Sequence, residues 1–364
     1  MVYCGLCDWV LIMAIKYVDN FEFWSTTSLG TLTSAYNGVS VTSGKLKIQG
    51  ITAGALISNY FTTQDTYIVN MRVNVGTVGN GNSGTGVSTN SPFVILEEGG
   101  SGSSNVQAGL GIRSDAKLQF FRQNAAIGGV SPIAFVIDSG ITYYDLEYKI
   151  TINNSTGTIE ARVNGEVQIG PTGSLDTQGT SNAYADSASV CCLNSGSFSA
   201  FSNQLIEHLI IMDGTGGAGN DFVGPVDVDL LPPTGDGFYT AWSFTGAPTR
   251  WQCVDELNPN EDTDYIFDAT VGDKNTFTHG ALPAGSTAVK AAAVWTRARR
   301  DDAVTRAFKV LLRNGGSDQL GSVESFVGDD YVWFLQAYEV SPFTSSAWTV
   351  SEVNATEFGV QVTT

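Results

Sequence analysis

The sequence predicts an all-β protein made of two sandwiches, and three observations carry that expectation. Glycine is abundant, 41 of 364 residues, while only 15 % of residues are charged, as in chains with many tight turns between short strands. Apolar and polar residues alternate with a period of two. The clearest case is Tyr67-Ile-Val-Asn-Met-Arg-Val-Asn-Val75, where Ile68, Asn70, Arg72 and Asn74 fall on one face and Tyr67, Val69, Met71, Val73 and Val75 on the other. A helical period is almost absent before residue 290. With 42 % hydrophobic residues, a chain this long supports two domains with a core each.

Residues 1–12 read as an N-terminal extension or arm ahead of a more ordinary start at Met13. The apolar run Trp9 to Ile15 is too short to span a bilayer, and Asp8 stands where a signal peptide carries Lys or Arg, so no membrane insertion is expected. Residues 13–225 form a first domain of short strands, beginning with Tyr17 to Trp24. Gly/Ser/Asn-rich loops at Gly76 to Asn90 and Gly99 to Asn105 separate them. Leu146 to Ile152, Thr158 to Val163 and Glu166 to Ile169 read as a three-stranded meander. Its second turn, Asn164-Gly165, is a type I′ hairpin signal, because both residues tolerate φ > 0. Leu205 to Met212 is the last strand of this domain and runs into Asp213-Gly-Thr-Gly-Gly-Ala-Gly-Asn-Asp221.

Residues 226–237 read as a Pro/Gly linker that spaces the second domain, 238–364, semi-rigidly. That domain is again strand-rich. Thr287 to Arg299 and Thr305 to Arg313 are expected to form one long hairpin around Arg300-Asp-Asp-Ala. Asp329 to Glu339 is a further strand, and Trp348 to Ala355 a short helical turn capped by Thr349 or Ser351, before a final strand Phe358 to Val362.

Charge narrows the function. With 18 basic against 36 acidic residues the net charge is −18, and no basic face is available for nucleic acid. Five cysteines (Cys4, Cys7, Cys191, Cys192 and Cys253) are an odd set, and one Cys-x-x-Cys without a second pair is not a zinc module. Reduced, mostly buried thiols are the expectation.

Gly214 to Gly219 lacks the helix that a phosphate loop requires. Asp213, Asn220 and Asp221 supply oxygens that suit calcium, or else stabilise backbone turns. Asp255, Glu256, Glu261, Asp262 and Asp264 form a second acidic cluster with the same two readings. Glu97 and Glu98 are adjacent and face opposite ways, which is the wrong spacing for a pair of glycosidic carboxylates. His208 and His279 have no serine elbow or cysteine near them, so catalysis is not expected. For carbohydrate, Tyr143, Tyr144, Trp251 and Trp333 are the aromatic candidates, against a role in core packing. Arg297, Arg299, Arg300, Arg306 and Arg313 concentrate on the expected hairpin, where Asp301 and Asp302 partly neutralise them, so an exposed salt-bridge ladder is expected rather than an anion site.

The strand, polar turn, strand, Asn-Gly hairpin and closing strand ending in Asp213 resemble the concanavalin A-like, laminin-G-like jelly roll over about residues 13–225. That resemblance implies that Leu205 to Met212 pairs beside Tyr17 to Trp24. The order Asp255-Glu256, Asp262-Thr-Asp-Tyr265, Arg297-Ala-Arg299, Trp348-Thr349, Glu357-Phe-Gly-Val360 resembles a smaller β-sandwich of tailed-bacteriophage virion proteins, where it follows a laminin-G-like domain. The tandem implies a non-enzymatic structural protein on the outer surface of a virion assembled in the host cytoplasm, as a capsid decoration, fibre or tail-associated protein. Its implied partners are other capsid or tail proteins and further copies of itself, with weak adsorption to host glycans. The alternatives are a secreted carbohydrate-binding lectin module and a glycan-cleaving enzyme.

Overall fold

The structure is a computed structural model that describes residues 15–22, 34–35, 39–49, 54–57, 61–76, 91–100, 104–123, 125–138, 140–191, 202–257 and 259–364. The strands of the first part are β1 Ile15–Asp19, β2 Ser34–Ala35, β3 Val39–Thr42, β4 Lys45–Gln49, β5 Gly54–Ile57, β6 Thr66–Val75, β7 Ser91–Glu97 and β8 Val106–Ile112. They continue as β9 Lys117–Arg122, β10 Ala125–Ala134, β11 Tyr144–Thr151, β12 Gly157–Val163, β13 Glu166–Leu175, β14 Ser187–Cys191 and β15 Ser202–Asp213. The arm at 1–12 lies outside the described residues, as do Cys4, Cys7 and Cys192 and the side chain of Cys191.

These strands form two antiparallel sheets. One has eight strands in the order β13-β12-β11-β6-β15-β4-β3, with β1 also pairing to β15; the other has seven, in the order β10-β9-β8-β7-β14-β5-β2. The alternation in Tyr67 to Val75 explains the layering: Tyr67, Val69, Met71, Val73 and Val75 are all buried in one continuous core with Phe93, Leu96, Leu110 and Phe120 of the opposite sheet. Tyr148 ties the layers together, its hydroxyl donating 2.9 Å to the Val94 carbonyl across the core. The closing pairing takes the expected form over part of its length. Ile15, Tyr17, Val18 and Asp19 pair with Met212, Ile211, Ile210 and Leu209, whereas the earlier part of β15 pairs with β4. The meander also forms, β11-β12-β13, with Asn164 at φ 52° and Gly165 at φ 82° in its turn.

The second part contains β16 Pro233–Thr240, β17 Ser243–Thr245, β18 Tyr265–Phe267, β19 Lys274–His279, β20 Ala292–Ala298, β21 Ala307–Asn314, β22 Ser317–Ser325, β23 Val332–Tyr338 and β24 Glu357–Val362. A five-stranded sheet runs β16-β19-β24-β21-β22. Phe308, Val310, Leu312 and Val360 of this sheet share a second core with Tyr338 and Phe334 of the β20–β23 ribbon and with Trp348. The helix Val350–Ala355 is capped as expected, Thr349 accepting from the Glu352 amide at 3.1 Å.

One pairing differs from expectation. β20 does not pair with β21; it pairs with β23 from Ala292↔Tyr338 to Ala298↔Val332, while β21 lies between β22 and β24. Residues 299–306 therefore cross from one layer of the sandwich to the other instead of turning back. The pairs Arg300–Asp329 (2.7 Å) and Arg306–Asp302 (2.7 Å) fix that crossing.

Candidate functional site

The outer face of the eight-stranded sheet carries a continuous set of polar and charged side chains. Asn70 and Asn74 stand on that face of β6, yet both are buried. Residues 221–228 explain Asn70, because after β15 the chain turns back and lies along the sheet as a strap. Phe222, Val223, Val226 and Val228 pack on Ile68, Ile210 and Met212. The sheet also holds the strap's backbone. The buried Glu147 carboxylate accepts from Val223 N (2.9 Å) and Gly224 N (3.0 Å), and Asn70 Nδ2 donates to the Gly224 carbonyl (3.0 Å). Asn20 Nδ2 donates to Val228 O at 3.0 Å, and the Arg162 guanidinium lies 3.9 Å from the Phe222 ring centroid. The stretch that reads as a linker thus begins as a bound segment of the first sandwich. Its own sequence carried a signal, since Val226-Asp-Val-Asp229 alternates with the period of an extended chain lying on a surface.

Beside the strap runs a row of charge. A register shift between Ile206 and His208 makes Glu207 an extra residue in β15. Its carboxylate meets Arg72 Nε at 2.8 Å and pairs closely with Lys45. Arg72 Nη1 also lies 3.9 Å from Asp145 and 3.5 Å from Asp227 of the strap. Lys45 donates to the Tyr143 hydroxyl at 3.2 Å and sits 4.3 Å from the centre of that ring. Burial pulls the Lys45 ammonium down, but its hydrogen bonds to Glu207 and Tyr143 outweigh this and hold it above its ordinary value. Burial pushes the Asp145 carboxyl up, against the Arg72 charge. The row offers two cationic donors, three carboxylates and a half-exposed phenol ring, with Ile141 standing 80 % exposed near Tyr143 in sequence. Donors and acceptors that hold one another in place beside an aromatic ring suit hydroxyl-rich ligands.

The four predicted aromatics are not brought together. Tyr144, next to Tyr143, turns into the core, its ring 4.4 Å from Phe135 and its hydroxyl accepting from Val136 N at 2.9 Å. Trp251 begins a 3-10 turn in the second part, its amide donating 2.9 Å to Asp236. Trp333 on β23 meets Trp295 edge-on at 6.1 Å, with Arg297 5.5 Å from its ring.

The acidic loop is committed to protein donors. Asp213 is fully buried, bound to Lys16 at 2.8 Å and to Thr215 N at 2.8 Å. Asn220 Nδ2 donates to Gly216 O, and Asp221 binds Lys149 at 3.2 Å. An ammonium seated on the buried carboxylate does not fit a calcium ion, which needs six to eight oxygens free to turn inward. Among the described residues no group of three or more His, Cys, Asp or Glu is placed to hold a metal ion. Two members of the second acidic cluster serve the arginines: Glu261 pairs with Arg297 at 2.5 Å, and Asp262 with Arg299 at 2.7 Å. Arg297 and Arg299 thus take acids from a loop distant in sequence, whereas Asp302, expected to neutralise the set, binds Arg306.

No family model matches the chain, and no curated protein matches it. The solved structures to which it is similar are largely concanavalin-like β-sandwich lectins. Peanut lectin with a 9mer peptide is 10 % identical, covering 54 % of this chain and 95 % of that one at a TM-score of 0.33. The Ca2+-bound exoplasmic/lumenal domain of VIP36 is 10 % identical over 59 % of this chain and 98 % of that one, at 0.35. A Trypanosoma rangeli sialidase mutant displaying trans-sialidase activity is 12 % identical over 52 % of this chain, at 0.35, and the match spans only 30 % of that enzyme. Likeness at this distance carries no argument about activity or ligand; the fold rests on the strand order and the cores.

Proposed function

We propose that this chain is a non-enzymatic structural protein displayed on the surface of a tailed-phage particle, where its first sandwich adsorbs weakly to host-surface carbohydrate. The observation that carries the carbohydrate part is the row Lys45–Glu207–Arg72–Asp145 with Tyr143 at its end. Its ion pairs fix donors and acceptors in advance, so hydroxyl groups bind without ordering free side chains. The tandem of a jelly roll and a smaller β-sandwich supports the particle setting. A rigid mount suits display: Trp295 of the second sandwich donates 2.8 Å to Val18 O and meets Tyr17 edge-on at 6.0 Å.

Mass spectrometry of purified particles tests the setting. The chain is expected among the virion proteins at many copies per particle; its absence from particles overturns that setting and favours the secreted lectin module.

A further inference from the structure

His208 lies at the floor of the strap and is 3 % exposed. Its Nε2 is 3.1 Å from Asn70 Oδ1. Asn70 spends its Nδ2 on the Gly224 carbonyl, so Oδ1 is the accepting end of that amide and His208 Nε2 carries the proton. A single relay thus runs from imidazole through Asn70 to the strap backbone, and Glu147 completes it from the other side by accepting from Val223 N and Gly224 N.

Besides Glu147 of β11, the relay has Asp145 of the same strand nearby, 3.9 Å from Arg72. Arg72 faces His208 from β6, Glu207 from its own strand and Asp227 from the strap. Lys149 on β11 and Arg162 on β12 hold Asp221 and the Phe222 ring, at the start of the strap. A proton on His208 adds a buried cation beside Arg72, and Glu207 and Asp227 are already paired with that guanidinium.

We propose that residues 221–228 are an acid-released strap: above neutral pH they cover the outer face of the first sheet, and protonation of His208 lets them lift from it while the sandwich stays folded. Burial holds the His208 pKa down at about 4, against an ordinary value near 6.5. A depressed histidine favours the closed form fully above the ordinary value, and that advantage is lost as pH falls toward the folded one. The lifted strap gives His208 water, so opening gains up to about tenfold per pH unit between roughly pH 6.5 and 4. The Gly-rich stretch Gly214 to Gly219 supplies the turn about which the strap moves, with Gly216 at φ 82° and Gly219 at φ 65°. Opening frees Asn70, Glu147 and Arg72, which form a polar floor continuous with the row that ends at Tyr143.

Amide hydrogen exchange on the whole chain tests this, with rates corrected for the intrinsic effect of pH. Protection at Val223 and Gly224 is expected to fall about tenfold per pH unit from pH 6 to 4.5, while Val69 and Tyr148 in the core keep theirs. His208→Gln should flatten the slope. Glu147→Gln should lower strap protection at every pH and leave the slope in place. Strap protection that ignores pH, that falls together with the core, or that keeps its slope in His208→Gln overturns the proposal. If His208→Gln does not fold, the contrast between strap and core amides in the unmodified chain decides alone.

Discussion

Asn275 on β19 is fully buried, and neither its amide nitrogen nor its amide oxygen finds a hydrogen-bond partner among the described residues. It is paired in register with Val360, whose side chain belongs to the second core. A buried polar group left unpaired costs about 1–3 kcal/mol, whereas valine suits both the strand and its apolar surroundings. Asn275→Val is therefore expected to raise the thermal midpoint by about 2–4 °C, a gain of about 1 kcal/mol in a chain of this size. A lower midpoint in a melting scan contradicts that reading. His208 shows the opposite management of a buried polar group, since each of its neighbours in the relay has a partner. In the sequence neither residue announces its state: His208 stands in the largely apolar run Leu205 to Met212, and Asn275 in the polar strand Lys274–His279. Only the partners distinguish them, and those partners lie at positions 70 and 224 for His208.

At the scale of elements, the hairpin Asn164-Gly165 was fully legible, because two positive φ angles leave few choices of residue. Gly165→Ala places a Cβ at φ 82° with only ordinary contact to Pro225 nearby, so the cost is backbone strain of about 1 kcal/mol. A urea midpoint unchanged by that substitution argues against the turn as described. β6 was legible too, in its alternation, but the sequence does not say why Asn70 on its polar face is buried. The strap is the reason: amides can be buried when another backbone meets them. The β20 ribbon was misread for a related cause. A long apolar strand, a charged turn and another apolar strand describe a hairpin equally well as a crossing between layers, and the deciding contacts lie at Trp333 and Leu335, far along the chain. In the candidate site, Tyr143 was visible as an aromatic, whereas Lys45, Arg72 and Glu207 come from three separate strands and have no common pattern.

At the scale of the whole molecule, the two sandwiches meet at β1. Its Ile15 amide donates to Glu339 at 2.9 Å, and its Val18 carbonyl accepts from Trp295. Trp295 also packs against the first core, although it belongs to β20 of the second sandwich. Trp295→Ala removes one hydrogen bond and the ring contacts with Tyr17 and Trp333, a loss of about 3 kcal/mol. Calorimetry is expected to show one unfolding transition in the unmodified chain and two in the variant, as each sandwich unfolds alone. A single transition at an unchanged midpoint contradicts the weld. The net charge of −18 acts on the same scale by repelling polyanions, so the row at Tyr143 is expected to take neutral sugars rather than sulfated or phosphorylated ones. Titration of the purified protein with neutral host-surface oligosaccharides, followed by calorimetry, reads this binding. Saturable binding in the millimolar range is expected, lost in Tyr143→Ala at unchanged thermal midpoint and weakened in Arg72→Ala, which also lowers the midpoint because Glu207 and Asp145 lose that cation. No binding at millimolar sugar, or binding indifferent to both substitutions, contradicts the carbohydrate proposal.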